Sequence, residues 1–374
     1  MVIRQKINGF VYRVLVKPIL FKFDPEVVHD SFVSIGESLG SNILTKTLTK
    51  SFFSYNNKVL NQNVLGINFS NPIGLSAGFD YNGRLTQILP SVGFGFSTIG
   101  SITRGSYEGN PKPRLLRLPN SKSILVNKGL KNLGAKKIVF SLKNKAFSIP
   151  LGVSVAKTNC ERTVNEAQGI NDYFDTLKLL VDNGVGDFYE INVSCPNAFG
   201  GEPFTTPKKL NKLLSKIDKL DISKPVFLKM PTDLSIFETK GLCEVALKHN
   251  VSGLIFGNLT KNRDNPRLDK SEVALLANRK GALSGLPTKE LSNRLIAFAY
   301  KNYGKRFVII GCGGVFTAID AYEKIKLGAT LIQLITGMIY NGPSVISEIN
   351  EGLAKLLAND GYDNISQAIG VDNK

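Results

Sequence analysis

From residue 72 onward the hydrophobic positions repeat one theme: a short β-branched run, a glycine or amide at its end, then a helical stretch. The runs are IGLSAG (73–78), FSTIGS (96–101), LGVSVA (151–156), FYEINVS (188–194), VFLKM (226–230), GLIFGN (253–258), FVIIGCGG (307–314) and TLIQLITG (330–337). Nearly continuous apolar strands alternating with helices predict a parallel sheet covered on both faces. Eight units match an α/β fold of the (β/α)8 TIM barrel type, usually about 250 residues. Helix punctuation agrees, as in TAIDAYEKIKLG, where Thr317 is placed as an N-cap and Gly328 as the stop. A doubly wound sheet is the alternative. It needs a GxGxxG turn after its first strand, and the lookalike GFGFSTIG precedes a strand instead.

Ahead of the barrel the period is helical. In MVIRQKINGFVYRVLVKPILFKF, Ile3, Ile7, Phe10, Val11, Val14 and Leu15 recur on one face, while Arg4, Lys6, Arg13 and Lys17 share the other. A second segment, DPEVVHDSFVSIGESLG, sets Val27, Val28, Phe32 and Ile35 on one side. Together they predict an N-terminal amphipathic helical hairpin over residues 1–45, followed by the barrel over 46–374. A basic amphipathic helix suits an anionic membrane interface, and packing on the protein's own body is the competing expectation.

Composition narrows the classes. The net charge is +17, which fits an anionic membrane surface, anionic ligands or nucleic acid. No basic run is interleaved with aromatics and Trp is absent, so nucleic acid is not the expected partner. Two histidines, His29 and His249, and four cysteines without a CxxC pair give neither a metal site nor a disulfide framework. No window has the roughly 18 apolar residues of a spanning helix, and no secretory signal pattern opens the chain. The expectation is a peripheral protein on the cytoplasmic side of the cell membrane.

In such barrels chemistry sits at the C-terminal strand ends. There Gly313, Gly314, Thr336 and Gly337 would bare backbone N–H groups for a phosphate. Lys229 brings a cation that an apolar run tolerates only beside an anion. Asn192, Asn197 and Asn258 add amides that donate and accept together. Cys195, between two of these amides and before Pro196, is a candidate base. Cys160, Cys243 and Cys312 are read as small apolar residues, and both histidines as structural.

In this order along the chain, NPIGLSAGFDYNG, EGNPKPRLLRLP, INVSCPN, LKMPTDLS, GALSGLP, IIGCGGV and LITGMIYNGP resemble the dihydroorotate dehydrogenase family of FMN-containing barrels, from about residue 12 to the end. The N-terminal segment with FKFDPEVVHD resembles the extension of its membrane-associated, quinone-using class, where it forms the quinone tunnel. The resemblance implies oxidation of dihydroorotate to orotate in pyrimidine biosynthesis, with electrons passing through FMN to a membrane quinone. Cys195 would remove the C5 proton. Asn127, Asn192, Asn197 and Asn258 would hold the pyrimidine, and Ala77, Gly78, Ser101, Asn192, Lys229, Gly285, Gly313, Gly314, Thr336 and Gly337 would line FMN.

The chain departs from the pattern at several points. The quinone class normally carries serine where Cys195 stands, and cysteine is typical of the soluble classes. Tyr81 replaces the lysine that usually bridges flavin and substrate. Val126 falls at the family's substrate asparagine, one position from Asn127. Ser154 replaces an asparagine, Leu259 a small hydroxyl residue and Ile335 an aromatic. The alternatives are a soluble-class enzyme using fumarate or NAD, and a non-catalytic flavin-binding barrel. The loop NAFGGEPFTTPKKL after Cys195 is expected to act as a lid hinged at Gly200 and Gly201.

Overall fold

The computed structural model describes residues 2–373; for residues 2, 3 and 6 it describes the backbone alone, so the expected faces of Ile3 and Lys6 lie outside the described side chains. Helix α1 (Val2–Val11) runs through a π-helical turn (Tyr12–Val16) into α2 (Lys17–Leu20). Pro18 enters this last piece at its first turn, where a missing N–H is tolerated. Helix α3 (Pro25–Gly40) begins at Asp24, whose carboxylate accepts from the N–H groups of Glu26 and Val27. A further helix, α4 (Ile43–Phe53), follows, so the helical extension reaches beyond the expected boundary at residue 45.

The N-terminal segment docks through its polar side. Gln5 Nε2 donates to Ser54 O at 2.6 Å, Asn8 Nδ2 to Phe52 O at 3.2 Å and Tyr12 OH to Ile339 O at 2.8 Å. Ile7, Phe10, Val14 and Leu15 are turned outward, as are Ile43, Leu44 and Leu48 of α4. The apolar face therefore does not pack on the protein's own body.

Strands β1 (Gln62–Val64) and β2 (Ile67–Phe69) form a hairpin turned at Leu65 and Gly66, both left-handed with φ of 53° and 80°. The barrel strands are β3 (Ile73–Leu75), β4 (Phe96–Ile102), β7 (Leu151–Val155), β8 (Phe188–Asn192), β9 (Val226–Met230), β10 (Gly253–Phe256), β12 (Val308–Cys312) and β13 (Leu331–Leu334). They close as eight parallel strands, with β13 pairing β3 through Ile332 and Ile73. All eight expected runs are barrel strands. Between them, β5 (Leu115–Leu118), β6 (Ser123–Val126) and β11 (Ala282–Leu283) form a separate antiparallel sheet.

The N-terminal end of the barrel is filled by rings. Phe96, Phe188 and Phe227 meet edge to face, with Phe69 of the hairpin joining Phe96 at 5.5 Å. Each ring occupies space that a glycine leaves: a Cβ on Gly74, Gly152 or Gly253 would meet Phe96, Phe188 or Phe227 within 2.3–2.5 Å. Aromatic bulk closes that end and leaves polar groups for the other. Thr317 caps its helix with Asp320, and Gly328 follows the last turn at a φ of 121°, as the pattern predicts.

Candidate functional site

A cavity of about 490 Å³ opens at the C-terminal strand ends and continues between α2, α3 and the barrel. Its wall holds Cys195, Asn192, Asn197, Asn258, Ala77, Gly78, Ser101, Lys229, Gly285, Gly313, Gly314, Thr336 and Gly337. Asn127 alone among the expected residues is outside that wall. Its Oδ1 accepts from Asn110 Nδ2 at 2.9 Å, and Val126 lines the cavity in its place. The alternation along β6 decides this, since one residue of shift turns a side chain to the other face.

The polar groups hold one another in a fixed chain. Ser101 Oγ lies 2.7 Å from Ser154 Oγ, and Asn192 Nδ2 donates to Ser101 Oγ at 2.7 Å. Asn192 Oδ1 accepts from Ser194 Oγ at 3.0 Å, and Asn258 Nδ2 donates to that same hydroxyl at 2.7 Å. Ser154, a departure from the family pattern, is thus satisfied by its neighbour. Asn197 Nδ2 donates to Val126 O at 2.8 Å, which ties the Cys195 segment to β6.

Cys195 is half-buried in the cavity wall. Burial pushes its thiol up to about 11, against the N–H groups of Asn197 and Ala198 and the Lys157 ammonium, which favour the thiolate. Lys157 is buried and donates to Phe199 O at 2.8 Å, so it also pins the loop that follows Cys195. In that loop Gly200 and Gly201 adopt φ of 75° and 73°, and Phe204 is buried against Tyr173. Cys243 is buried in the core, whereas Cys312 reaches the cavity wall.

The sequence reading missed a polar layer beneath the cavity. Lys229 Nζ donates to Ser76 Oγ at 3.1 Å, and Ser76 Oγ donates to Gln333 Oε1 at 3.2 Å. Gln333 Nε2 and Thr98 Oγ1 both donate to Glu190 Oε1, at 2.5 and 2.8 Å. Glu190 is fully buried and its Oε2 has no partner among the described residues. A single acid or amide inside an apolar strand gives no periodic signal, and only closure of the barrel brings these strands together.

The cavity's second arm passes between helices α2 and α3 and ends among apolar side chains, including Phe21, Phe32, Ile35 and Leu39. His29, taken from the sequence as structural, lines it; its Nε2 is 2.8 Å from Phe79 O and its ring packs on Phe79 and Tyr81. Arg117 donates to Phe23 O at 2.7 Å and stacks over Phe21.

The dihydroorotate dehydrogenase family model matches residues 59–357. The chain belongs to the dihydroorotate dehydrogenase family. Over 97% of its length it is 33% identical to a dihydroorotate dehydrogenase (quinone) from Trichodesmium erythraeum, covering 99% of that protein. A relative of the same name from Haloarcula marismortui is 34% identical, with 96% and 98% of the two chains covered. Among solved structures, a dihydroorotate dehydrogenase from Eimeria tenella in complex with ferulenol superposes with a TM-score of 0.82 at 26% identity, covering 95% of this chain and 99% of that one. The ligand-free form of the Eimeria enzyme gives 0.81 at 27% identity, covering 94% and 100%.

Proposed function

We propose that the protein oxidises dihydroorotate to orotate, with FMN as cofactor and a membrane quinone as electron acceptor. The observation that carries this is one cavity joining Cys195 and the glycine-rich strand ends to an apolar arm between the N-terminal helices.

The residues fit FMN. A Cβ on Gly337 would meet Val315 O at 2.0 Å and one on Gly285 would meet Lys122 O at 2.3 Å, so both positions require bare backbone beside the cavity. Lys229 is buried with one hydrogen-bond partner among the described residues, leaving donors for a guest. Gly313, Gly314, Thr336 and Gly337 would hold the phosphate, and Ala77, Gly78, Ser101, Asn192 and Lys229 the ring. When bound, FMN supplies the acceptor for the hydride leaving C6 and the means of passing electrons to quinone.

Cys195 takes the C5 proton on Sγ as the C5–C6 double bond forms. Asn192, Asn197 and Asn258 orient the pyrimidine, and the loop carrying Gly200 and Gly201 excludes water. The apolar arm admits the quinone. Exposed apolar side chains on α1 and α4, beside Arg4, Lys46 and Lys50, rest on an anionic membrane surface, on the cytoplasmic side. No described helix is long and apolar enough to cross a membrane.

The test is anaerobic reduction of the FMN-loaded protein by dihydroorotate, followed by addition of a soluble ubiquinone analogue. Flavin bleaching and then rapid reoxidation are expected. Bleaching with no quinone response would remove the acceptor assignment, and no bleaching would remove the substrate.

A further inference from the structure

We propose that Lys128 supplies the cation for the substrate carboxylate, a role that Tyr81 cannot fill; this rests on the proposed dihydroorotate oxidation. Tyr81 stands where the family resemblance leads one to expect a lysine, and the ammonium of Lys128 sits 5.4 Å from the centre of that ring. Both residues line the cavity that holds Cys195.

The surrounding charges leave room for an anion. Glu26 is 5% exposed and meets Arg114 at 3.0 Å, Lys128 at 2.9 Å and Lys131 at 3.2 Å. The only other carboxylate paired to this cluster among the described residues is Asp30, 3.9 Å from Lys131 and largely in solvent. Three cations against one buried carboxylate is an unfavourable balance unless a further anion arrives.

Arg114 and Lys131 are already committed. Arg114 also donates to the carbonyls of Asn110 and Gly109, and Lys131 is shared between Glu26 and Asp30. Lys128, 6% exposed, has Glu26 as its one charged partner among the described residues. Its own main chain is held in place: Lys128 O accepts from Asn110 N–H at 3.1 Å, and Gly129 O accepts from Asn159 Nδ2 at 2.9 Å. Gly129 and Leu130 both take the left-handed conformation, at φ of 68° and 67°, which a leucine adopts only under strain. Lys128 stands beside Tyr81, whose ring face is an extra cation partner.

The experiment measures dissociation constants of orotate and of its uncharged methyl ester by calorimetry on the full-length, FMN-loaded protein. Wild type should prefer orotate by about 10- to 100-fold, the range of one charge-assisted hydrogen bond. Lys128→Met should erase that preference while leaving the ester's affinity in place, and Lys128→Arg should retain part of it. Lys128→Gln should likewise erase it while keeping a hydrogen-bonding side chain beside Glu26, and carries the test where Lys128→Met proves unstable. Tyr81→Phe should keep the preference. An unchanged preference in Lys128→Met, or its loss in Tyr81→Phe, would overturn the assignment. Wild-type protein that is not reduced by dihydroorotate would sink the reaction itself, a result separable from these ratios.

Discussion

Cys195 is a weak acid in the free protein, because its pocket removes more hydration than two N–H groups and Lys157 give back. A base works as the thiolate, so activity must rise with pH as the thiol ionises. Because the thiol stands at about 11, above its ordinary 9.0, kcat/KM for dihydroorotate should climb about tenfold per pH unit between pH 7 and 10. A plateau near pH 8 would contradict this. Cys195→Ala should lower turnover by about 10²- to 10⁴-fold and leave the flavin spectrum unchanged. Glu26 titrates the other way. Burial raises its carboxyl, but Lys128, Lys131 and Arg114 outweigh burial and hold it at about 2, below its ordinary 4.5. A depressed carboxylate stabilises the fold above 4.5 and loses that contribution as pH falls toward 2. Thermal melts should therefore show a wild-type loss over that window that is missing in Glu26→Gln, whose cost at neutral pH is about 3–5 kcal/mol. Melting curves of equal pH dependence would refute it. At this scale the sequence located Cys195 and the glycines, since their motifs are contiguous. Asn127, expected with them, lies outside the cavity wall, because the path of β6 relative to the cavity is not written in the local pattern.

Among the elements, the barrel strands were the most legible, each a short apolar run ending in a small or amide residue. The reason for three of their glycines was not. Gly74, Gly152 and Gly253 face phenylalanines at the N-terminal end of neighbouring strands, a relation that exists only across paired strands. Gly152→Ala should drive a methyl into Phe188 and cost about 1–3 kcal/mol, read as a shifted denaturant midpoint. An unchanged midpoint would show that the ring can move aside. The N-terminal helix was legible as amphipathic, but its orientation was not. Periodicity gives two faces; Gln5, Asn8 and Tyr12, hydrogen-bonded to carbonyls of the body, decide that the apolar one is free. Removing residues 1–40 should abolish quinone turnover and spare flavin binding, since the glycine-rich strand ends lie outside the deleted segment. Quinone kinetics equal to wild type would separate the helices from the acceptor.

For the whole molecule, the charge of +17 and the outward apolar side chains of α1 and α4 are the two features on which the proposed contact with an anionic membrane rests. Binding to vesicles containing anionic lipid should be strong at low salt and fall steeply as ionic strength rises, because screening shortens the reach of surface charge. Equal binding to neutral vesicles would assign the contact to apolar insertion alone. The sequence by itself determined the eight-unit barrel, the family and the Cys195 segment as part of the cavity wall, because all three rest on local periodicity and contiguous motifs. Only the tertiary structure decided which residues share the cavity, which face of α1 is free, and that Glu190, Gln333, Thr98 and Ser76 form one layer. Those depend on strand pairing and helix docking, which join residues far apart in the chain through contacts that no window of sequence contains.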